Sequence, residues 1–200
     1  MHWPPYFTLD LVAQDLLPAD WLEQVHAGAA APERVAVTTP GMPLPGDGQF
    51  SILAGTDVCA RFGWLWDLYH RQIRDFVTQS FARPAFPANR VSSAITLNIL
   101  EGAGAGQDWH TDANAVTGIF FATTLTEGEG GELEFRRPDG ETAQLRPHAG
   151  VFACFPGHVS HRVAPLSLPT QRLSFPMIYY DSVEDQPFAS VHDRYELSTA

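Results

Sequence analysis

From Val91 onward the chain is a series of short stretches with strand-forming composition, each closed by glycine, aspartate or proline. The pattern predicts strands near Ser93–Leu100, Gln107–His110, Gly118–Leu125, Gly131–Arg136, Glu141–Leu145, Gly150–Phe155, His161–Pro165 and Arg172–Tyr180. Strands at this spacing suit a jelly roll or barrel. Pro138-Asp139-Gly140 is a hairpin turn signal. No internal repeat is visible.

The first 90 residues read differently. Met1 to Tyr6 is a proline-rich lead-in, and Leu9 to His26 reads as helical material with Asp20 as an N-cap. Arg34 to Thr38 alternates enough for a short strand. In Asp57 to Phe81, Val58, Phe62, Leu65, Tyr69, Ile73 and Phe76 recur at steps of three and four, which predicts one long helix packed on a sheet and stopped by Arg83-Pro84. Between these lies Thr39 to Phe50, rich in proline and glycine, a long loop that is either a lid or an ordinary surface connection. The expected organisation is therefore a single domain: a helical and loop part over 1–90, a β core over 91–180 and a polar tail over 181–200.

Candidate chemistry lies in the β part. His110 and Asp112 stand two apart, so on an extended backbone both side chains point to one side. Downstream are His161, in Phe155-Pro-Gly-His-Val-Ser-His161-Arg-Val, and Arg172, in Gln171-Arg-Leu-Ser174. Two histidines and one carboxylate make the facial triad of non-haem Fe(II) oxygenases, which leaves adjacent metal positions open. A zinc hydrolase also uses such a set, but has no need of a planar, permanently charged guanidinium two residues before a serine on one strand face.

The run from about Ser93 to Tyr180, a little under half of the chain, resembles the Fe(II)- and 2-oxoglutarate-dependent dioxygenases, and among them the prolyl-4-hydroxylase-like branch. The residues that carry the resemblance are Asn98-Ile-Leu-Glu-Gly102, His110-Thr-Asp112, Gly130-Gly-Glu-Leu-Glu-Phe135, His161-Arg-Val163 and Arg172-Leu-Ser174. It implies a mainly β protein with flanking helices, folded as a double-stranded β-helix (a cupin-like jelly roll). It implies Fe(II) held by His110, Asp112 and His161, and 2-oxoglutarate held by Arg172 and Ser174 with a further contact from Asn98. With O2 as the other reactant, the resemblance implies hydroxylation of an unactivated C–H bond with release of succinate and CO2. The carboxylate at Asp112 sets the chain apart from halogenating relatives, which have a small residue there.

The match departs from the family at Leu100, where the Asn-x-Tyr pattern has its tyrosine, so that hydrogen bond is absent or comes from elsewhere, for instance Thr96 or another tyrosine. The Leu166–Thr170 turn is also longer than is usual. His158 and His148 sit in turns and compete poorly with His161 for the third ligand position, and His70 reads as a helix-packing residue. Gly130-Gly131 reads as a tight turn. Trp109 and Asn114 flank the metal motif, either touching substrate or serving as wall and loop.

Composition narrows the partners. A net charge of −11 over 200 residues argues against binding to nucleic acid phosphates or anionic membranes. No run is long enough to span a bilayer, and no signal peptide is visible. The two cysteines, Cys59 and Cys154, sit in apolar surroundings and read as free thiols, which fits a reducing, cytoplasmic setting. A small-molecule substrate such as an amino acid or biosynthetic intermediate is expected. The alternatives are a peptidyl (prolyl-type) hydroxylase and a non-catalytic metal- or ligand-binding β-barrel.

Overall fold

The computed structural model describes residues 3, 5–37, 48–137, 139–184, 186, 195 and 197. Its elements run β1 (Phe7–Asp10), α1 (Trp21–Ala29), β2 (Val35–Ala36), β3 (Gln49–Leu53), α2 (Gly55–Arg61), α3 (Gly63–His70), α4 (Gln72–Phe81), β4 (Phe86–Pro87) and α5 (Val91–Ala94). They continue with β5 (Leu97–Glu101), β6 (Gln107–His110), β7 (Val116–Phe121), β8 (Leu133–Arg136), β9 (Thr142–Leu145), β10 (Val151–Pro156), β11 (His161–Val163) and β12 (Gln171–Tyr180).

Two antiparallel sheets form the jelly roll. The larger has the order β1-β10-β7-β12-β5-β3-β2, with β4 also on β12, and the smaller has the order β6-β11-β8-β9. Each of the predicted strands after residue 91 is present. Their ends shift by a few residues, and Val91–Ala94 forms a helical turn ahead of β5.

The strands of the large sheet are two-faced, as the period of two requires. On β7, β10 and β12, Phe120, Phe152, Cys154, Leu173 and Phe175 join one core with the helices. The alternate residues Ile119, Phe121, Ala153 and Phe155 join a second core between the sheets, with Leu133 and Phe135 of β8. On the helix side Trp21 and Phe120 rings lie 5.4 Å apart, Phe62 and Phe175 rings also 5.4 Å, and Phe76 and Phe152 rings 6.2 Å. Burying one such ring contributes about 1.5–3 kcal/mol, so this face fixes the sheet against its helical layer. The opposite face packs toward the small sheet.

The part before residue 91 departs from expectation in two ways. Leu9 and Asp10 are strand, not helix: β1 pairs antiparallel with β10, Leu9 opposite Phe152. With β2, β3 and β4 this part supplies sheet edges as well as helices. The long helix is three short ones. It breaks at Phe62 (φ −122°, ψ 56°) and at Arg71 (φ −123°, ψ −95°). The apolar pattern survives the breaks because each short helix turns the same side to the sheet; Val58, Phe62, Leu65, Tyr69 and Ile73 are all buried. The first break serves packing, since the Phe62 ring fills the space over Gly28, where an added Cβ would lie 2.5 Å from it. α4 ends at Phe81, with Ala82 in the left-handed region at φ 50°, ahead of Pro84.

Asp20 occupies the N-cap position of α1 without capping a backbone N–H; its carboxylate accepts from the Gln24 side chain at 3.0 Å. The lid candidate Thr39–Phe50 lies outside the described residues as far as residue 47, as does Pro138 of the hairpin turn. Gly140, at φ 91°, donates from its N–H to the Arg137 carbonyl and closes the β8–β9 hairpin. Among the described residues no helix is long and apolar enough to cross a membrane.

Candidate active site

His110 ends β6 and His161 begins β11, and the two are register partners. Their rings lie 4.3 Å apart. Asp112 follows β6 in a loop held by its own N–H, which donates to the Gly157 carbonyl at 2.8 Å. Gly157 in turn donates to the Ala115 carbonyl at 3.1 Å. Close approach explains the glycine: a Cβ there would lie 2.1 Å from the Asn114 carbonyl oxygen. The fold thus brings one ligand atom from each of His110, Asp112 and His161 within 4.8 Å of the others, the one metal-capable cluster of His, Cys, Asp and Glu among the described residues.

Each donor is aimed by a second contact. His110 Nδ1 lies 2.7 Å from the Asp108 carbonyl and His161 Nδ1 lies 2.9 Å from the Val159 carbonyl. With Nδ1–H donated to a carbonyl, the neutral ring presents its Nε2 lone pair. Those Nε2 atoms face the carboxylate: His110 Nε2 is 3.9 Å from Asp112 Oδ1 and His161 Nε2 is 3.6 Å from Asp112 Oδ2. Burial holds the His161 pKa below its usual range, outweighing the opposing pull of Asp112, and so keeps the ring neutral and able to ligate. His161 packs against Phe155 at 4.6 Å, while His110 is partly open to solvent.

Asp112 is aimed by residues with no motif of their own. Thr117, on β7, donates its hydroxyl to Asp112 Oδ2, and Asn114 Nδ2 donates to the Thr117 oxygen at 2.9 Å. Both residues are buried. Asn114 therefore supports the metal motif from behind. Trp109 points to the outer side of the small sheet, between the guanidinium groups of Arg136 (3.9 Å to the ring centroid) and Arg162 (4.8 Å), and serves as wall. Sequence reading had no signal for Thr117, whose role depends on a turn folding back on itself.

Arg172 is the other unusual group. It is 2 % exposed, on β12 opposite Leu100 of the core between the sheets. Nε donates to the Gly131 carbonyl at 2.9 Å and Nη1 to Ser174 Oγ at 2.8 Å. Its guanidinium carbon lies 5.4 Å from the Phe121 ring centroid. Nη2 is buried with no hydrogen-bond partner, and no carboxylate pairs with the charge among the described residues. Desolvation pushes its pKa down to about 10. A buried cation with an unmatched N–H is costly by itself and is suited to a carboxylate partner. Gly130 and Gly131, both at φ 75°, form the turn that presents the Gly131 carbonyl to it.

Asn98 is buried on β5 opposite Ser174. Thr96 donates to its Oδ1 at 2.8 Å, and its Nδ2 donates to the Tyr195 hydroxyl at 3.1 Å. The remaining sequence candidates fall elsewhere. His158 is exposed in a turn, His148 lies in a turn before β10, and His70 Nδ1 lies 3.0 Å from the Trp66 carbonyl inside its own helix. None of them joins the cluster.

No family model and no curated protein sequence matches the chain. Solved structures do. An oxidoreductase of the 2OG-Fe(II) oxygenase family from Burkholderia pseudomallei aligns over 90% of this chain and 86% of its own, at 15% identity and TM-score 0.65. The non-heme alpha ketoglutarate dependent epimerase SnoN from nogalamycin biosynthesis, in complex with Fe3+, alpha ketoglutarate and nogalamycin RO, aligns over 96% and 93%, at 14% identity and TM-score 0.65. A prolyl hydroxylase from Trichoplax adhaerens, in complex with a peptide fragment of the hypoxia inducible factor oxygen degradation domain, aligns over 90% and 84%, at 12% identity and TM-score 0.62. The fold of this chain is that of the 2OG-Fe(II) oxygenases.

Proposed function

We propose that this protein is an Fe(II)- and 2-oxoglutarate-dependent dioxygenase that hydroxylates an unactivated C–H bond of a small molecule. The observation that carries the reading is the buried Arg172 guanidinium, with an unmatched N–H, beside Phe121 of the core between the sheets, in the same jelly roll that brings His110, Asp112 and His161 together. A metal site alone fits several chemistries. A metal site joined to a buried, unpaired carboxylate receptor fits a metal chelated by a dicarboxylate.

In this reading His110, Asp112 and His161 would hold Fe(II) through the two Nε2 atoms and a carboxylate oxygen, a three-residue set that leaves room for cosubstrate and O2. Thr117, with Asn114 behind it, keeps the Asp112 carboxylate turned toward the metal position. Arg172, Ser174 and Asn98 would hold 2-oxoglutarate, with Arg172 paired to a carboxylate. Phe121, Phe135 and Phe155 line the space between the sheets and keep it poor in water. When bound, Fe(II) and 2-oxoglutarate supply the oxidising chemistry with O2 and release succinate and CO2.

A free amino acid or biosynthetic intermediate is the proposed substrate class, supported by the acidic chain and by a structural neighbour that holds a small molecule. A peptidyl substrate is the second reading, favoured by the neighbour that holds a peptide. Both thiols are free, which supports a reducing, cytoplasmic setting for a protein read as a single domain.

The test is succinate formation from 2-oxoglutarate across panels of free amino acids and of peptides. Stimulation by a free compound and by no peptide supports the first reading, and the reverse supports the second. Turnover by neither, with the metal bound, leaves the non-catalytic barrel. Asp112→Ala should abolish product formation, and normal turnover by that variant removes Asp112 from the ligand set.

A further inference from the structure

Two described residues beyond β12, Tyr195 and Leu197, lie against the sheet. Leu197 forms an antiparallel bridge with Val37, next to β2. Two residues earlier, Tyr195 is buried, its ring edge-on to Phe50 with centroids 5.8 Å apart. Phe50 is the register partner of Leu100, and all three belong to the core between the sheets. Tyr195 therefore carries a phenol oxygen into that core, over a stretch of β5 whose own side chain at Leu100 is apolar.

There the hydroxyl meets a small polar group. It lies 3.1 Å from Asn98 Nδ2 and 3.4 Å from Thr96 Oγ1, and Thr96 donates to Asn98 Oδ1. Thr96, Asn98 and Tyr195 are all buried among apolar neighbours. A carboxamide has two N–H donors and an acceptor oxygen. Thr96 donates to the Oδ1 end, and the Tyr195 hydroxyl spans both ends, accepting from Nδ2 at 3.1 Å and lying 3.3 Å from Oδ1. The second donor has no acceptor among the described residues. A carboxamide held at both ends presents that donor in one direction, whereas a free one rotates and flips.

We propose that Tyr195 is a positioning residue for the cosubstrate chamber. It is delivered from the segment after β12 and orients the Asn98 carboxamide so that its second N–H is available to 2-oxoglutarate. The inference rests on the reading of the chamber as a 2-oxoglutarate site, and it makes cosubstrate affinity depend on a residue far from both the metal motif and Arg172 in sequence.

The experiment is an anaerobic 2-oxoglutarate titration of the Fe(II)-loaded protein, followed by its visible charge-transfer band, for wild type, Y195F, N98A and the double variant. Y195F keeps the ring on Phe50 and removes only the hydroxyl. The expected result is that Y195F raises half-saturation about fivefold, the effect of one lost hydrogen bond, with the band maximum unmoved. In the N98A background the same change should add nothing. T96V, which frees the other end of the carboxamide, should raise half-saturation as Y195F does. The inference is overturned if Y195F and T96V titrate like wild type, or if the effect of Y195F persists undiminished without Asn98. A wild type with no band overturns instead the chamber reading on which it rests.

Discussion

Replacing Arg172 by methionine separates a stabilising residue from a receptor. The guanidinium is buried, and desolvation pushes its pKa down to about 10 from the usual arginine range. At about 1.4 kcal/mol per tenfold change in proton affinity, roughly 3 kcal/mol stands against the charged form. Two hydrogen bonds, to the Gly131 carbonyl and to Ser174, offset this by about 1 kcal/mol each. Methionine has a similar reach and no charge to desolvate. R172M should therefore leave the metal-free protein as stable as wild type, or more stable by about 1 kcal/mol, as measured by urea unfolding.

With Fe(II) present and O2 excluded, 2-oxoglutarate at 100 times its dissociation constant should stabilise wild type by about 2.7 kcal/mol, and R172M at that concentration not at all. The reasoning is refuted if R172M loses 2 kcal/mol or more without metal, because the guanidinium is then a net structural anchor. It is equally refuted if R172M keeps the cosubstrate-dependent gain.

Two further outcomes follow from the same geometry. T117V removes the hydroxyl that orients Asp112 while keeping its shape, and should weaken Fe(II) binding about 10- to 100-fold with little change in thermal midpoint; an unchanged metal affinity would detach Thr117 from the site. Burial pushes the Cys154 thiol far up and leaves it protonated, so a water-soluble thiol reagent at pH 8 should modify no more than Cys59 in the native protein and reach Cys154 only after unfolding. Fast modification of both would show the helix-side core to be open.

Much of this was legible in the sequence, for reasons that differ by element. Strands β5 to β12 announce themselves because each carries its own period and its own turn residues. His110 and Asp112 are two apart on one strand end, so their convergence is local. His161 and Arg172 needed the ordered match to a family to be singled out. What stayed hidden depends on pairing over long separations. Leu9 and Asp10 are strand because β10 lies beside them, and nothing within the segment itself says so. The breaks at Phe62 and Arg71 leave the apolar pattern intact, and a pattern reports which face is buried, not whether the axis is continuous. Thr117 meets Asp112 across a folded-back loop and Tyr195 meets Asn98 across 97 residues, contacts that no local spacing encodes. Leu100 marked where a tyrosine was missing, and the tyrosine hydroxyl that meets Asn98 is that of Tyr195, 97 residues on.

The central claim is that one chamber holds a metal at His110, Asp112 and His161 and a dicarboxylate at Arg172. The most direct test is to add Fe(II) and then 2-oxoglutarate to the metal-free protein without O2 and record the visible spectrum. The account predicts a metal-to-ligand charge-transfer band that grows with 2-oxoglutarate, saturates, and is absent from Asp112→Ala. A folded protein that binds the metal yet gives no band would contradict it, and the chamber would then belong to a hydrolase or to a non-catalytic barrel.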